Sequence, residues 1–147
     1  MRGRMGVIEE PEMGLHPQAV SVFMLLVLDL LWRGYRVVLS THSPLVLTVV
    51  WMLRRLRENE ARWQLVCDAF GVTNRAALRK VAEESLKKTL KVHLLEFGED
   101  SKVRSKDIFT LDPGSDDEGV SGWGGLTGFS SRFGDAVRNA VNERDAE

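Results

Sequence analysis

The sequence predicts an α/β fold built on a parallel sheet. Three observations carry that expectation. The stretch Val7-Ile8-Glu9-Glu10-Pro11 is a short apolar run closed by two carboxylates and a proline. A second run, Val37-Val38-Leu39, closes in the polar tip Ser40-Thr41-His42-Ser43-Pro44. Between them, residues 18–32 are apolar almost all round and far too many for a strand. Strand, helix and strand joined by short turns form a βαβ unit, whose two strands pair in parallel.

Composition bounds the reading further. A chain of 147 residues is enough for one modest domain with a real core. The net charge is −1 with 28% charged residues, so no global field draws it to nucleic acid or to a membrane. A lone cysteine, Cys67, excludes an internal disulfide framework and fits a reducing cytoplasm. The basic N-terminus meets Glu9 and Glu10 before any apolar stretch long enough for a signal peptide. The longest apolar stretch, Ala19–Trp32, is broken by Ser21 and Asp29 and falls short of the ~20 residues of a membrane span. The expectation is a soluble cytoplasmic protein with no membrane partner.

In chain order, residues 5–9 read as a short, fully buried strand. His16-Pro17 opens a helix, since proline is favoured at the first helical position. That helix runs to Trp32-Arg33 and stops at Gly34. Tyr35–Ser40 is the second strand. Leu45–Glu60 is a helix that turns from apolar to basic, and Gly71 breaks the pattern beyond it. Asn74–Leu90 is a third helical stretch, with Asn74 as N-cap and Ala77, Leu78, Val81, Leu86 and Leu90 on its apolar side. Lys91–Phe97 and Lys106–Leu111 read as a hairpin joined through Gly98-Glu99-Asp100-Ser101. Residues 112–125 read as loop and 130–142 as a final helix. No internal repeat is visible.

Val7–Pro17 resembles the Walker B motif, catalytic glutamate and D-loop of ABC-type ATPases. It is most similar to the SMC/RecF/OLD-like branch called AAA family ATPases, in which Glu-Glu-Pro-Glu is followed by Leu-His-Pro. Ser40–Pro44 resembles that branch's switch-histidine motif, and Trp123-Gly124-Gly125-Leu126 resembles the tail of these proteins. The resemblance implies a partial P-loop NTPase sheet, the C-terminal half of the family's ATPase, over one incomplete domain. Its parts would be a core over 1–44, a helical segment over 45–90, the hairpin over 91–112, and a Gly-rich loop with a C-terminal helix over 113–147. It implies ATP and magnesium as cofactors. Glu9 would hold the water shell of magnesium, a cation that keeps several of its waters. Glu10 would orient or deprotonate the attacking water, and His42 would hydrogen-bond the γ-phosphate. Met13, Gly14, Leu15 and His16 would form the D-loop that crosses to a partner subunit. His16 reads equally well as a residue that only starts the helix.

The remaining features read as structure. His93 sits in a strand pattern without a partner, in the core or on the surface. Cys67 reads as a small buried apolar residue. Ser121-Gly122-Trp123-Gly124-Gly125 looks superficially like an ABC signature, but the signature should precede Walker B; it reads as a flexible loop with Trp123 packed back on the domain. Asp112, Asp116, Asp117 and Glu118 sit among Pro, Gly and Ser, as a solvated loop does. One cysteine and three scattered histidines do not give zinc spacings.

The P-loop pattern G-x-x-x-x-G-K-[ST] is absent, and no Gly-Lys pair occurs anywhere. That loop supplies most of the grip on ATP phosphates. The chain alone is therefore expected to be inactive, a truncated half or one part of a split ATPase, needing a P-loop-containing half or a homologous subunit. The strand 35–40 should then present an open apolar edge. Two other readings stand beside this one. The chain is a non-catalytic interaction module derived from such an ATPase, or a DNA-associated or phage-defence subunit with an effector partner. Arg54, Arg55, Arg57, Arg62, Arg75, Arg79, Lys80, Lys87 and Lys88 would carry nucleic-acid binding, yet acidic residues interleave them as on a solvated helix face.

Overall fold

Strand β1 (Met5–Glu9) and strand β2 (Arg36–Ser40) pair in parallel in the computed structural model, which describes residues 3–145. The register runs from Met5 opposite Arg36 to Glu9 opposite Ser40, so the two strands end level. Helix α1 (Pro17–Trp32) is the crossover between them. It starts where Pro17 follows the His16 cap, and it ends in a Schellman turn. There the Gly34 N–H donates to Leu31 and the Tyr35 N–H to Leu30, with Gly34 at φ 86°. The mixed α/β architecture with a small parallel sheet is the one expected from the sequence.

The chain divides into two compact units, Met1–Leu90 and Lys91–Glu147. In the first, α2 (Pro44–Glu58), α3 (Gln64–Ala69) and α4 (Arg75–Ser85) follow β2. Val20, Met24 and Leu28 of α1 form one core with Val46, Val49 and Leu53 of α2, Val66 and Cys67 of α3, and Val81 and Ala82 of α4. Leu39 of β2 packs against this cluster. The opposite sheet face is open: Met5, Val7 and Val38 are all exposed. This corrects the expectation of a fully buried strand. A strand's side chains alternate between its faces, and helices cover only one face of this two-stranded sheet. Val22 and Leu26 of α1 are likewise exposed, as an all-round apolar helix with incomplete cover must leave them.

Helix boundaries also move. Helix α4 stops at Ser85 rather than at Leu90, although Leu86 and Leu90 still pack on the core. Helix α3, unassigned from the pattern, is too short to show a period. It contributes Val66 and Cys67, and Gly71, φ 65°, follows its Phe70 cap.

In the second unit, β3 (His93–Phe97) and β4 (Val103–Asp107) form the expected antiparallel hairpin, Phe97 opposite Val103. The second strand lies earlier than the predicted 106–111. The Gly98–Ser101 turn closes at once, with Gly98 N–H donating to Lys102 and Ser101 N–H to Gly98. The apolar run after it is a buried turn: Ile108 and Leu111 are packed inside, and Leu111 adopts φ 45°. The predicted loop 112–125 contains a one-turn helix, α5 (Glu118–Ser121), and α6 (Gly128–Asp145) overlaps the predicted 130–142. No helix among the described residues is long and apolar enough to cross a membrane.

Leu28, 2% exposed at the centre of the four-helix contact, gives a direct check on this core. Leu28→Ala should lower unfolding free energy by about 2–5 kcal/mol in a denaturant melt. Leu26→Ala, on the uncovered side of the same helix, should change it by less than about 1 kcal/mol. Equal losses would mean that the open side of α1 is covered in solution.

Candidate functional site at the strand tips

The carboxyl ends of β1 and β2 bring together the two motifs. Glu9 is exposed at the last position of β1. Glu10 continues the ladder by one bond, its N–H donating to the Ser40 carbonyl at 3.0 Å. Its φ is 41°, in the left-handed region that non-glycine residues rarely occupy. The chain turns there. Met13 N–H donates to Glu10 O at 3.1 Å, Leu15 N–H to Glu12 O at 2.9 Å, and Gly14 takes φ 74°.

The His42 ring reaches back to this turn. His42 Nε2 lies 3.1 Å from Glu10 Oε1. The pair is open to solvent, with 80% of the His42 side chain and 41% of the Glu10 side chain exposed. An exposed contact of this kind adds little stability by itself. Glu9, Glu10, Met13 and Ser40 line an open concavity at the strand tips.

Glu12, one residue past Pro11, has no assigned role in the motif resemblance. The structure makes it the bridge between the tips. Its Oε1 accepts from the Thr41 hydroxyl at 2.6 Å and from the His42 backbone N–H at 2.7 Å. Its Oε2 is buried without a partner. Burial pushes the Glu12 carboxyl up. The bonds from Thr41 and from the backbone N–H groups of Glu12, His42 and Ser43 outweigh burial and hold it below the usual glutamate value. The signal was available in outline: level strand ends place a residue just beyond Glu10 near residues 41–42. What the sequence does not encode visibly is which of three nearby glutamates turns inward.

Ser43 caps α2, its Oγ accepting from Leu45 N–H at 3.2 Å. His16 caps α1, with Nδ1 accepting from Gln18 N–H at 3.3 Å. Met13 and Leu15 are exposed on the turn. The site thus gathers Glu9, Glu10 and Met13 with Ser40 and His42, while His16 is engaged in starting its helix.

The other sequence candidates are accounted for locally. His93 is exposed and has a partner after all, Ser105 Oγ at 3.3 Å across the hairpin. Cys67 is buried, and burial followed by Asp68 pushes its thiol up. Trp123 packs back within its unit, donating from Nε1 to the Leu111 carbonyl at 2.9 Å, in a hydrogen-bonded turn rather than a free loop. Asp117 pairs with Lys106 at 2.7 Å and caps α5, and Asp112 caps Gly114. Among the described residues no group of three or more His, Cys, Asp or Glu is placed to hold a metal ion. Arg54 and Arg55 pair with Glu58, Arg79 with Glu83 and Lys87 with Glu84, the pattern of a solvated face.

A protein-family model described as "AAA domain, putative AbiEii toxin, Type IV TA system" matches residues 4–48. The match runs from the start of β1 through α1 and β2 into α2, and so covers both strand tips. It supports an AAA/P-loop ATPase-like region there. No curated protein and no solved structure matches the chain.

The Glu12 bridge predicts a definite acid sensitivity. Its folded-state pKa is depressed, so its stabilising contribution is complete above the ordinary glutamate value of 4.5 and fades as pH falls through the lower folded value. Acid unfolding of Glu12→Gln should therefore show a shallower loss of stability below pH ~4.5 than the parent chain. Identical pH dependence in the two proteins would contradict this.

Proposed function

We propose that residues 4–48 supply the carboxylates and switch histidine of an ABC-type ATP-hydrolysing site, completed by a P-loop segment from elsewhere. The observation that carries this reading is the 3.1 Å approach of His42 Nε2 to Glu10 Oε1 at level parallel strand tips. The family match over the same residues supports it. In open α/β sheets the crevice beyond the strand carboxyl ends is the usual ligand site.

The donor set fits magnesium of one kind. Glu9 and Glu10 offer hard oxygen ligands on an open concavity, without the crowd of ligands a closed cage needs. That suits a cation held through its waters by one or two carboxylates. Bound there with ATP, magnesium would neutralise charge on the β- and γ-phosphates. Glu9 would hold its water shell. Glu10, fixed in a left-handed conformation with its backbone tied to Ser40, would orient the attacking water. His42 would leave Glu10 to donate to the γ-phosphate, reporting its presence. Met13, Gly14, Leu15 and His16 would form the D-loop facing a partner subunit. The phosphate cradle is not encoded in this sequence, so the P-loop comes from another segment or chain. The matched family's description as a putative toxin of a Type IV TA system supports a toxin-type setting over DNA maintenance.

One observation favours a second reading. Met5, Val7 and Val38 leave an apolar sheet face exposed, which suits a docking module that no longer hydrolyses ATP. The two readings part at Glu10. In an assembly with the P-loop segment, Glu10→Gln should lower kcat by about 10²–10⁴-fold while ATP remains bound, as loss of a general base does. Turnover unchanged by Glu10→Gln, or no turnover in any reconstituted assembly, would favour the docking module.

A further inference from the structure

We propose that Glu12 is the positioning residue of this site: one carboxylate oxygen spans the two strand tips, sets His42 opposite Glu10, and passes displacement of the 11–16 turn to the histidine. Its bearing on ATP rests on the reading of Glu10 and His42 given above; its effect on the placement of His42 does not.

The His42 ring is 80% exposed, so no wall of packed side chains fixes it. Its position must be set through its backbone. That backbone is held by the 2.7 Å bond from His42 N–H to Glu12 Oε1. The same oxygen receives the Thr41 hydroxyl at 2.6 Å. Both distances lie at the short end for such bonds, as expected when the acceptor is ionised.

The direction of the Thr41 hydroxyl is also fixed. Its oxygen accepts from Ser43 N–H at 2.9 Å, which leaves its proton for Glu12. Ser43 in turn caps α2 through Leu45 N–H. A continuous chain therefore runs from the start of α2 through Ser43 and Thr41 to Glu12, and bonds in such a chain reinforce one another. On the other side, the Glu12 carbonyl is tied into the turn by Leu15 N–H at 2.9 Å. A shift of that turn cannot leave the residue 41–43 segment in place without breaking two charge-assisted bonds.

The unpaired Oε2 of Glu12 points the same way. A buried polar atom without a partner is unfavourable and uncommon, and here it accompanies a carboxylate anchored through one oxygen only.

The test is amide hydrogen exchange and His42 ring NMR shifts on the full chain, without nucleotide. Glu12→Ala should speed exchange at the His42 amide about tenfold or more, the loss of one hydrogen bond to a charged acceptor. It should also move the His42 ring resonances, while amides of Met24 and Leu28 in α1 keep their protection. Glu12→Gln retains an acceptor oxygen and should restore part of the His42 protection. Unchanged exchange and ring shifts in Glu12→Ala would overturn the proposal. So would an equal loss of protection at Met24 and Leu28, which would make Glu12 a residue of general stability. The predicted loosening of His42, found alongside Glu10-independent turnover in a reconstituted assembly, would support the positioning role and refute the ATPase reading.

Discussion

Everything at the candidate site depends on the parallel register of β1 and β2. Glu9 lies opposite Ser40, so both strands release their chains at one level. A slip of one residue would turn every side chain to the other face. A slipped β2 would take Leu39 off the helix-covered side, and Glu10 would lose the Ser40 carbonyl. The register is held by the apolar face that α1 covers, with Leu39 packed against the helical core. The acidic tip is thus positioned by burial that happens elsewhere.

Beyond the last paired residues, the site is shaped by backbone anchors rather than by packing. Glu10 sits at φ 41°, a conformation that costs on the order of 1–3 kcal/mol for a non-glycine residue. Its N–H bond to Ser40 and the turn bonds at Met13 and Leu15 keep it there. Glu12 then ties that turn to Thr41 and His42. The visible pair, His42 and Glu10, is open to water and weak by itself. A weak exposed contact set by short bonds to Glu12 suits the switch role proposed for His42.

Much of this was legible from the sequence because local chemistry and fold agree there. Apolar runs ending in Glu9-Glu10 and Thr41-His42, with a long apolar helix between them, leave little choice but a βαβ unit. His16-Pro17 and Gly34 mark the helix ends by capping chemistry that is local. Where the reading failed, the cause was tertiary. The strands were expected to be buried on both faces, but cover comes from helices on one side, and Met5, Val7 and Val38 face outward. The second hairpin strand is expected over Lys106–Leu111, a stretch that holds the apolar Ile108, Phe109 and Leu111. Ile108 and Leu111 are instead buried in their unit, while the more polar Val103–Asp107 pairs with β3. Glu12 was hidden because a carboxylate reveals its partner only when the second strand tip is brought beside it.

In the proposed account the chemistry is divided between residues that would face a nucleotide and one that positions His42. Glu9, Glu10 and His42 belong to the first group and Glu12 to the second. The measurement that tests this account most directly is the response of the His42 ring to nucleotide in an assembly containing a P-loop segment. NMR spectra of ring-labelled His42 would be compared with magnesium and a non-hydrolysable ATP analogue and with magnesium and ADP. The account predicts that the ring resonances move with the ATP analogue and stay near their nucleotide-free positions with ADP, because only the former offers a γ-phosphate. Resonances that do not move with either nucleotide, or move identically with both, would contradict it.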